Sequence, residues 1–160
     1  MAKAISLGFP RIGANRELKK ITESFWSGKA SREELLATAK MIRQQNWKLQ
    51  QDAGLDQVPA GDFSFYDQML DLAWAFDVVP ERYTKAGITD DLDLYFTMAR
   101  GGATQALEMT KWFDTNYHYL VPEFDGRKSY ALKRENLIEI YREAAAQGFN
   151  ARPVVVGPLT

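Results

Sequence analysis

The sequence has no cysteine, a single histidine and no long apolar run. Without cysteine, disulfides, thiolate metal sites and cysteine nucleophiles are excluded. The lone His118 is a poor metal ligand, and a buried, hydrogen-bonded or packing role is the more typical one. No stretch approaches the roughly 20 apolar residues of a membrane span, and the first residues do not resemble a secretory signal. The cytoplasm is therefore the expected location.

Neither sign of charge is in excess, because 20 Lys and Arg residues stand against 21 Asp and Glu residues. A nucleic-acid-binding protein usually carries a strong basic excess, so that class is not expected. The positive charge is nevertheless concentrated: five basic residues and one acidic residue fall within the first 20. A cationic spot on an otherwise acidic chain favours a small polyanionic ligand.

The 160 residues are 46% hydrophobic, which is enough for one globular domain with a sizeable core. Short apolar strand candidates alternate with amphipathic helices, and this order predicts an α/β fold with a parallel sheet. The strand candidates are 4–7, 58–61, 117–121 and 153–156. The helix candidates begin after Asn15, which is the expected cap of the first, after Ser31, after the Ser64–Asp67 segment, after Asp91, and at Leu132. On pattern alone, a small open α/β domain and a fragment of a larger barrel remain equally open.

Two features of these helices and strands give specific expectations. Ser31 and Glu34 form a capping-box pattern that opens a long helix, with Leu35, Ala39, Ile42 and Leu49 on its buried face. The last strand candidate has no partner beyond it, and an open parallel edge favours pairing with a second copy of the chain. We therefore expect the chain either to self-associate or to be only marginally stable.

The segment Gly8–Lys20, here called the basic corner, is the most informative part of the chain. It follows a strand and enters a helix, the position at which α/β proteins build ligand sites. If Arg16 and Lys19 both lie on that helix, they share a face near its amino-terminus. Their charge would combine there with free backbone N–H groups and suit a carboxylate or phosphate. A solvated helix face is the ordinary alternative for such charges. The glycine spacing fits neither a phosphate loop nor a dinucleotide fingerprint.

A second segment, Met109–Phe124, is dense in aromatic and polar residues. Lys111 followed by Trp112 could present a cation beside an aromatic wall, whereas core and rim packing is the more common role of such aromatics. No pair of carboxylates stands out for acid–base chemistry, since Asp90, Asp91 and Asp93 are explained by a helix start. Reasoning from the residues ends at an α/β protein with a cationic strand–helix corner.

Both segments resemble signatures of one family. Gly8–Gly13 with Arg16–Lys19 resembles the start of cobalamin-independent methionine synthases, and Met109–Tyr119 is similar to a second signature of that family. The terminal segment Pro153–Pro158 also looks like a family strand with its following turn. The similarity runs through the whole chain, so we expect residues 1–160 to be a truncated part of the family's amino-terminal domain.

This resemblance implies an enzyme that transfers a methyl group from 5-methyltetrahydropteroyltri-L-glutamate to L-homocysteine and forms L-methionine. It implies a pair of (β/α)8 TIM-type barrels, of which this chain would hold about four βα units of the first. That barrel helps to hold the folate polyglutamate. The carboxy-terminal barrel carries zinc, homocysteine and the catalytic groups, and no cobalamin is used.

By the same resemblance, the folate-tail-binding residues are Arg16, Glu17, Leu18, Lys19 and Lys111. Asn116 and His118 lie in the matching segment without an assigned role. Family chains are several times longer, and this one has no cysteine for a thiolate zinc site, so we expect no turnover from it alone. The alternative is a non-catalytic α/β module that binds a protein partner or another small anion.

Overall fold

The computed structural model describes residues 2–157. Within that range the chain forms six helices and four short strands. In chain order these are α1 Glu17–Trp26, α2 Arg32–Asp52, β1 Val58–Ala60, α3 Gln68–Ala75, α4 Glu81–Lys85, α5 Asp91–Arg100, β2 Met109–Lys111, β3 His118–Leu120, α6 Asn136–Ala146 and β4 Ala151–Pro153.

The chain divides into two compact units. The first runs to Phe65 and includes Leu137–Gly157, so it contains α1, α2, β1, most of α6 and β4. The second is built on Tyr66–Asn136 and contains α3, α4, α5 and the pair β2–β3. The basic corner belongs to the first unit, and the aromatic-rich segment Met109–Phe124 belongs to the second.

The first unit has a small parallel sheet. β1 pairs with β4 in the register Val58↔Ala151 to Ala60↔Pro153, and Ile5 forms one parallel bridge to Gln57. Helix α2 leads into β1, and helix α6 leads into β4, so that the two strands run in the same direction. This is the parallel arrangement with helical connections that the alternating pattern predicts. Val58 packs with Trp47 of α2 and Ala144 of α6, so both helices cover the sheet at this residue.

Polar contacts reinforce this packing. The Trp47 indole Nε1 donates to the carbonyl of Pro59 over 2.8 Å, and the Trp47 ring lies 5.7 Å from that of Phe149. Burying the indole is possible because its one donor is satisfied by the strand. A second buried cluster joins Leu18 of α1, Ala39 and Ile42 of α2, and Phe63, which follows β1.

The start of α2 follows the expected capping box. The Ser31 hydroxyl accepts from the Glu34 amide at 3.2 Å, and the Glu34 carboxylate accepts from the Ser31 amide at 2.6 Å. These reciprocal bonds satisfy amides that the helix itself leaves open. The buried face is as predicted for Leu35, Ala39 and Ile42, but Leu49 is 56% exposed, so its placement in the core was wrong.

The second unit packs three helices with an antiparallel hairpin. β2 and β3 pair in the register Met109↔Leu120, Thr110↔Tyr119 and Lys111↔His118. The guanidinium of Arg82 in α4 pairs with the Glu123 carboxylate and lies 4.7 Å from the Tyr83 ring centroid. At the end of α3, Arg134 donates to the carbonyl of Trp74 over 2.8 Å, where a cation complements the helix C-terminus.

Several predicted element boundaries differ from the observed ones. The strand expected at 117–121 is β3 of a hairpin, and its partner β2 was not predicted. The strand expected at 153–156 lies earlier, at Ala151–Pro153, and the first strand candidate makes only the Ile5 bridge. A mixed α/β architecture is confirmed. The turn at Pro158 lies outside the described residues.

No helix in the described part of the chain is both long and apolar enough to cross a membrane.

Candidate anion-binding site

The loop of the basic corner is attached to the end of β1 through Asp62. An oxygen of the Asp62 carboxylate accepts the Phe9 amide at 2.8 Å. Burial raises the pKa of Asp62, while the amides of Phe9, Asp62 and Phe63 oppose that rise. Asp62 stands just past the carboxyl end of a parallel strand, the usual position of ligand-facing side chains in α/β folds. This contact fixes where the loop leaves the sheet.

Glu17 orders the start of α1. Its carboxylate accepts the Asn15 amide at 2.9 Å and the Asn15 side-chain amide at 3.1 Å. Hydrogen bonds from the backbone amides of Glu17 and Asn15 lower the pKa of Glu17. Gly13 leaves room for this arrangement, because a Cβ there would lie 2.2 Å from a Glu17 carboxylate oxygen, and its φ of +83° suits glycine. Glu17 is thus engaged with the corner's own backbone.

The amides at this helix start are largely used within the chain. The Arg16 amide donates to the Gly13 carbonyl at 3.2 Å, and the Leu18 amide donates to the Ile12 carbonyl at 3.1 Å. The expectation that open helix amides add to the anion site is therefore wrong for these two groups. The charged groups that this end of α1 could offer to an anion are therefore its side chains.

Arg16 precedes the helix instead of lying on it. It is the N-cap of α1, with φ 63° and ψ 36°, a left-handed conformation that a non-glycine residue rarely adopts. The expectation that Arg16 and Lys19 share a helix face was wrong for this reason. Asn15, the expected cap, bonds to Glu17 instead. Both Arg16 and Lys19 remain exposed at the same end of α1.

Lys19 and Leu18, which the resemblance also implies as binding residues, have different environments. Lys19 forms an exposed ion pair with Glu23 at 3.6 Å, a contact that is weak in water. Leu18 is 4% exposed and belongs to the buried cluster with Ala39, Ile42 and Phe63. The Leu18 side chain therefore anchors α1 to the rest of the first unit. The cationic surface consists of Arg16 and Lys19 with the adjacent exposed Lys20.

Lys111 lies in the second unit, at the end of β2 where the hairpin turn begins. It is exposed and pairs in register with His118, and the following Trp112 amide donates to the Tyr117 carbonyl at 2.8 Å. Trp112 stacks edge-on with Tyr119 at 5.4 Å. The hairpin thus holds the Lys111 backbone in a defined place beside a half-buried indole.

His118 and Asn116 are exposed residues of the same hairpin. The His118 Nδ1 lies 3.2 Å from the Asn116 carbonyl, so the expectation of a hydrogen-bonded histidine is met, whereas a buried one is not. Phe113 is 80% exposed, so it does not fill space in the core as expected for the aromatic residues here. Within the described range, no three His, Asp or Glu side chains are grouped as metal ligands.

Sequence reasoning missed Asp62 and Asn46. The Asn46 side-chain amide of α2 donates to the Pro10 carbonyl at 3.2 Å, so α2 also supports the corner loop. A signal for Asp62 was present, since it directly follows a strand candidate. The contact from Asn46 spans 36 residues and has no local sequence signature.

Comparison with known proteins gives these segments a family. The profile of the family described as "Cobalamin-independent synthase, N-terminal domain" matches residues 3–160. A 5-methyltetrahydropteroyltriglutamate–homocysteine methyltransferase of Acidithiobacillus ferrooxidans is 52% identical over 161 residues, which cover 100% of this chain and 20% of that protein. The enzyme of the same name from Salinibacter ruber is 49% identical over 170 residues, 100% of this chain and 22% of the relative.

A eukaryotic relative agrees: the probable 5-methyltetrahydropteroyltriglutamate–homocysteine methyltransferase of Schizosaccharomyces pombe is 48% identical over 171 residues, covering 100% of this chain and 22% of that protein. The chain belongs to the family of amino-terminal domains of cobalamin-independent synthases. The resemblance to the cobalamin-independent methionine synthases is thereby confirmed. The chain spans about a fifth of the length of the relatives described.

Proposed function

We propose that this chain binds the glutamyl tail of 5-methyltetrahydropteroyltri-L-glutamate, as part of an enzyme that transfers its methyl group to L-homocysteine and forms L-methionine. The names of the relatives supply the substrates. The observation that carries the proposal is the pair of exposed cations at one end of α1, Arg16 and Lys19. The loop that leads into this end of the helix is held by Asp62 and Asn46.

The physical reason is charge complementarity. A triglutamate tail is a flexible chain of carboxylates, and exposed guanidinium and ammonium groups are suitable partners. Each exposed ion pair contributes about 0.2–1 kcal/mol, so a few together position a tail without holding it tightly. Glu17 and Leu18 act indirectly in this proposal: Glu17 orders the corner and Leu18 anchors α1. Lys111 is proposed separately as a tail-binding cation on the second unit.

The rest of the family enzyme supplies what this chain lacks. We propose that the chain forms part of a TIM-type barrel, and that zinc and L-homocysteine are held by a second, carboxy-terminal barrel in the cytoplasmic enzyme. With no cysteine and one histidine, the residues here do not fit a thiolate zinc site. The chain alone is therefore proposed to position substrate without turning it over.

Charge reversal tests the tail contact. We expect Lys19→Glu and Lys111→Glu each to weaken folate triglutamate binding about three- to tenfold in calorimetry, because an attraction is replaced by a repulsion. Monoglutamate binding should change less. Lys29→Glu beyond the end of α1 and Lys133→Glu on the second unit are matched exposed controls and should have little effect. Triglutamate binding that survives both reversals would rule out the tail contact.

A non-catalytic α/β module that binds another small anion is the competing function. The same exposed cations would serve it, so the choice depends on the ligand. A higher affinity for inorganic phosphate or citrate than for folate triglutamate would favour this alternative.

Self-association is also proposed, because within residues 2–157 no strand pairs with the outer side of β4. Leu7 and Val155, which lie beside this sheet in sequence, are 76% and 61% exposed. Open strand edges with apolar neighbours favour strand pairing between chains. Light scattering should show a mass that increases with concentration. A monomer over the full concentration range would contradict the proposal.

A further inference from the structure

Asp67 is a buried carboxylate whose two oxygens serve two separate elements of the second unit. It is 2% exposed. One oxygen accepts the amides of Met69 and Leu70, at 2.8 and 2.9 Å, and so caps α3. The other accepts the Leu120 amide of β3 at 3.1 Å, from a residue 53 positions away in the chain. Helix capping explains the contacts with Met69 and Leu70, but it does not explain the contact with Leu120.

The contact with β3 is made on the edge that faces away from β2. On the ladder side, the Val121 amide donates to the Glu108 carbonyl and the Trp112 amide to the Tyr117 carbonyl, both at 2.8 Å. The Leu120 amide falls between these positions and is turned outward to Asp67. The Asp67 carboxylate therefore accepts a hydrogen bond from an edge amide that would otherwise need another partner.

A helix cap alone does not require this buried charge. Asp90 caps α5 with a similar pair of contacts, to the amides of Leu92 at 2.8 Å and Asp93 at 3.0 Å, but Asp90 is exposed. Burying a carboxylate costs free energy unless strong hydrogen bonds compensate. Aspartate can accept at both oxygens, whereas asparagine caps a helix equally well and has only one acceptor oxygen.

A second buried carboxylate, Asp71, takes part in further hydrogen bonds next to Asp67. The Tyr95 hydroxyl donates to Asp71 at 2.7 Å and accepts the Tyr66 amide at 3.1 Å, next to Asp67 in sequence. Burial and the nearby carboxylates raise the pKa of Tyr95, so the phenol remains a donor. The backbone on both sides of Asp67 is thus fixed by hydrogen bonds.

We propose that Asp67 is a positioning residue for Lys111, resting on the proposed tail-binding function. The connection runs from the α3 start through Asp67 to Leu120, and then across the β3–β2 ladder to Lys111. Asp67 fixes the hairpin, and the hairpin fixes the backbone from which the lysine extends. Asp67 itself does not contact the ligand.

The test is the ratio of the monoglutamate Kd to the triglutamate Kd in the 160-residue chain, measured by calorimetry. We expect this ratio to be several-fold in the wild type, and to fall about equally in Lys111→Ala and Asp67→Asn. The double variant should show no further fall, because both changes remove the same contact. Asp90→Asn, the matched exposed cap, should leave the ratio unchanged.

The outcomes separate the two claims. A wild-type ratio of one overturns the proposed function and the positioning role together. A wild-type ratio above one that Asp67→Asn leaves intact, or losses that simply add in the double variant, overturns the positioning role alone. If Asp67→Asn does not fold, hydrogen exchange in the wild type decides: the Leu120 amide should be protected as strongly as those of Met69 and Leu70. Rapid exchange of the Leu120 amide, while the Met69 and Leu70 amides stay protected, would contradict the hydrogen bond between Leu120 and Asp67.

Discussion

Replacing Arg43 with alanine should destabilise the chain by about 3 kcal/mol, since it leaves a mostly buried carboxylate without its cation. Arg43 of α2 donates to one oxygen of Glu143 in α6, from Nη2 at 2.5 Å and from Nε at 3.1 Å. The two side chains are only 13% and 18% exposed. The other Glu143 oxygen is buried without a partner, so Arg43 is the main compensation for this charge.

The loss would be large relative to a typical domain stability of about 5–15 kcal/mol. Urea unfolding followed by circular dichroism measures it. Removing both charges together, in Arg43→Met with Glu143→Leu, should restore most of the stability, because an apolar pair can replace a buried ion pair. Lys48→Ala breaks the exposed pair with Asp52 and should cost less than about 1 kcal/mol. An Arg43→Ala variant as stable as Lys48→Ala would contradict this account of α2 and α6.

Substituting Gly61 with alanine should cost about 2–4 kcal/mol by adding a steric collision to an unfavourable backbone conformation. Gly61 follows β1 with φ +101°, and a Cβ there would lie 2.6 Å from the Val154 carbonyl oxygen. That oxygen belongs to backbone held close by the Val154 amide, which donates to Ala60 at 2.8 Å. The collision can be relieved only by separating the segments that extend β1 and β4.

Gly148 provides the matched control for this change. Its φ is +82°, yet a Cβ there would meet no atom within 4 Å. Gly148→Ala should therefore show the conformational cost alone, about 1–2 kcal/mol. The difference between the two variants in urea unfolding isolates the contact with Val154. Equal costs would show that the close approach of the two strands is not needed for stability.

Local patterns predicted the parts of the fold that depend on neighbouring residues. The Ser31 and Glu34 capping box was predicted because it forms within three residues of chain. The cap of α3 falls within the expected Ser64–Asp67 segment, at Asp67. The antiparallel hairpin was missed because β2 is exposed at all three residues and has no apolar alternation. Leu49 was misplaced because helical spacing identifies a face, whereas its burial depends on what packs there.

The candidate site, too, was predicted only where it depends on residues that are neighbours in the chain. The sequence identified Gly8–Lys20 as a cationic corner, and the structure leaves Arg16 and Lys19 exposed at one end of α1. It did not predict the left-handed Arg16, since that conformation is imposed by the bonds around Gly13 and Glu17. Asp62 and Asn46 act over 53 and 36 residues, distances at which spacing carries no information.

The central claim is that the exposed cations of the basic corner bind glutamyl carboxylates, and tail length tests it most directly. Calorimetric titrations of the wild-type chain at low salt should give a several-fold lower Kd for folate triglutamate than for folate monoglutamate. The difference should shrink as salt is raised, because exposed ion pairs are screened. Equal Kd values for the two ligands at low salt would contradict the claim.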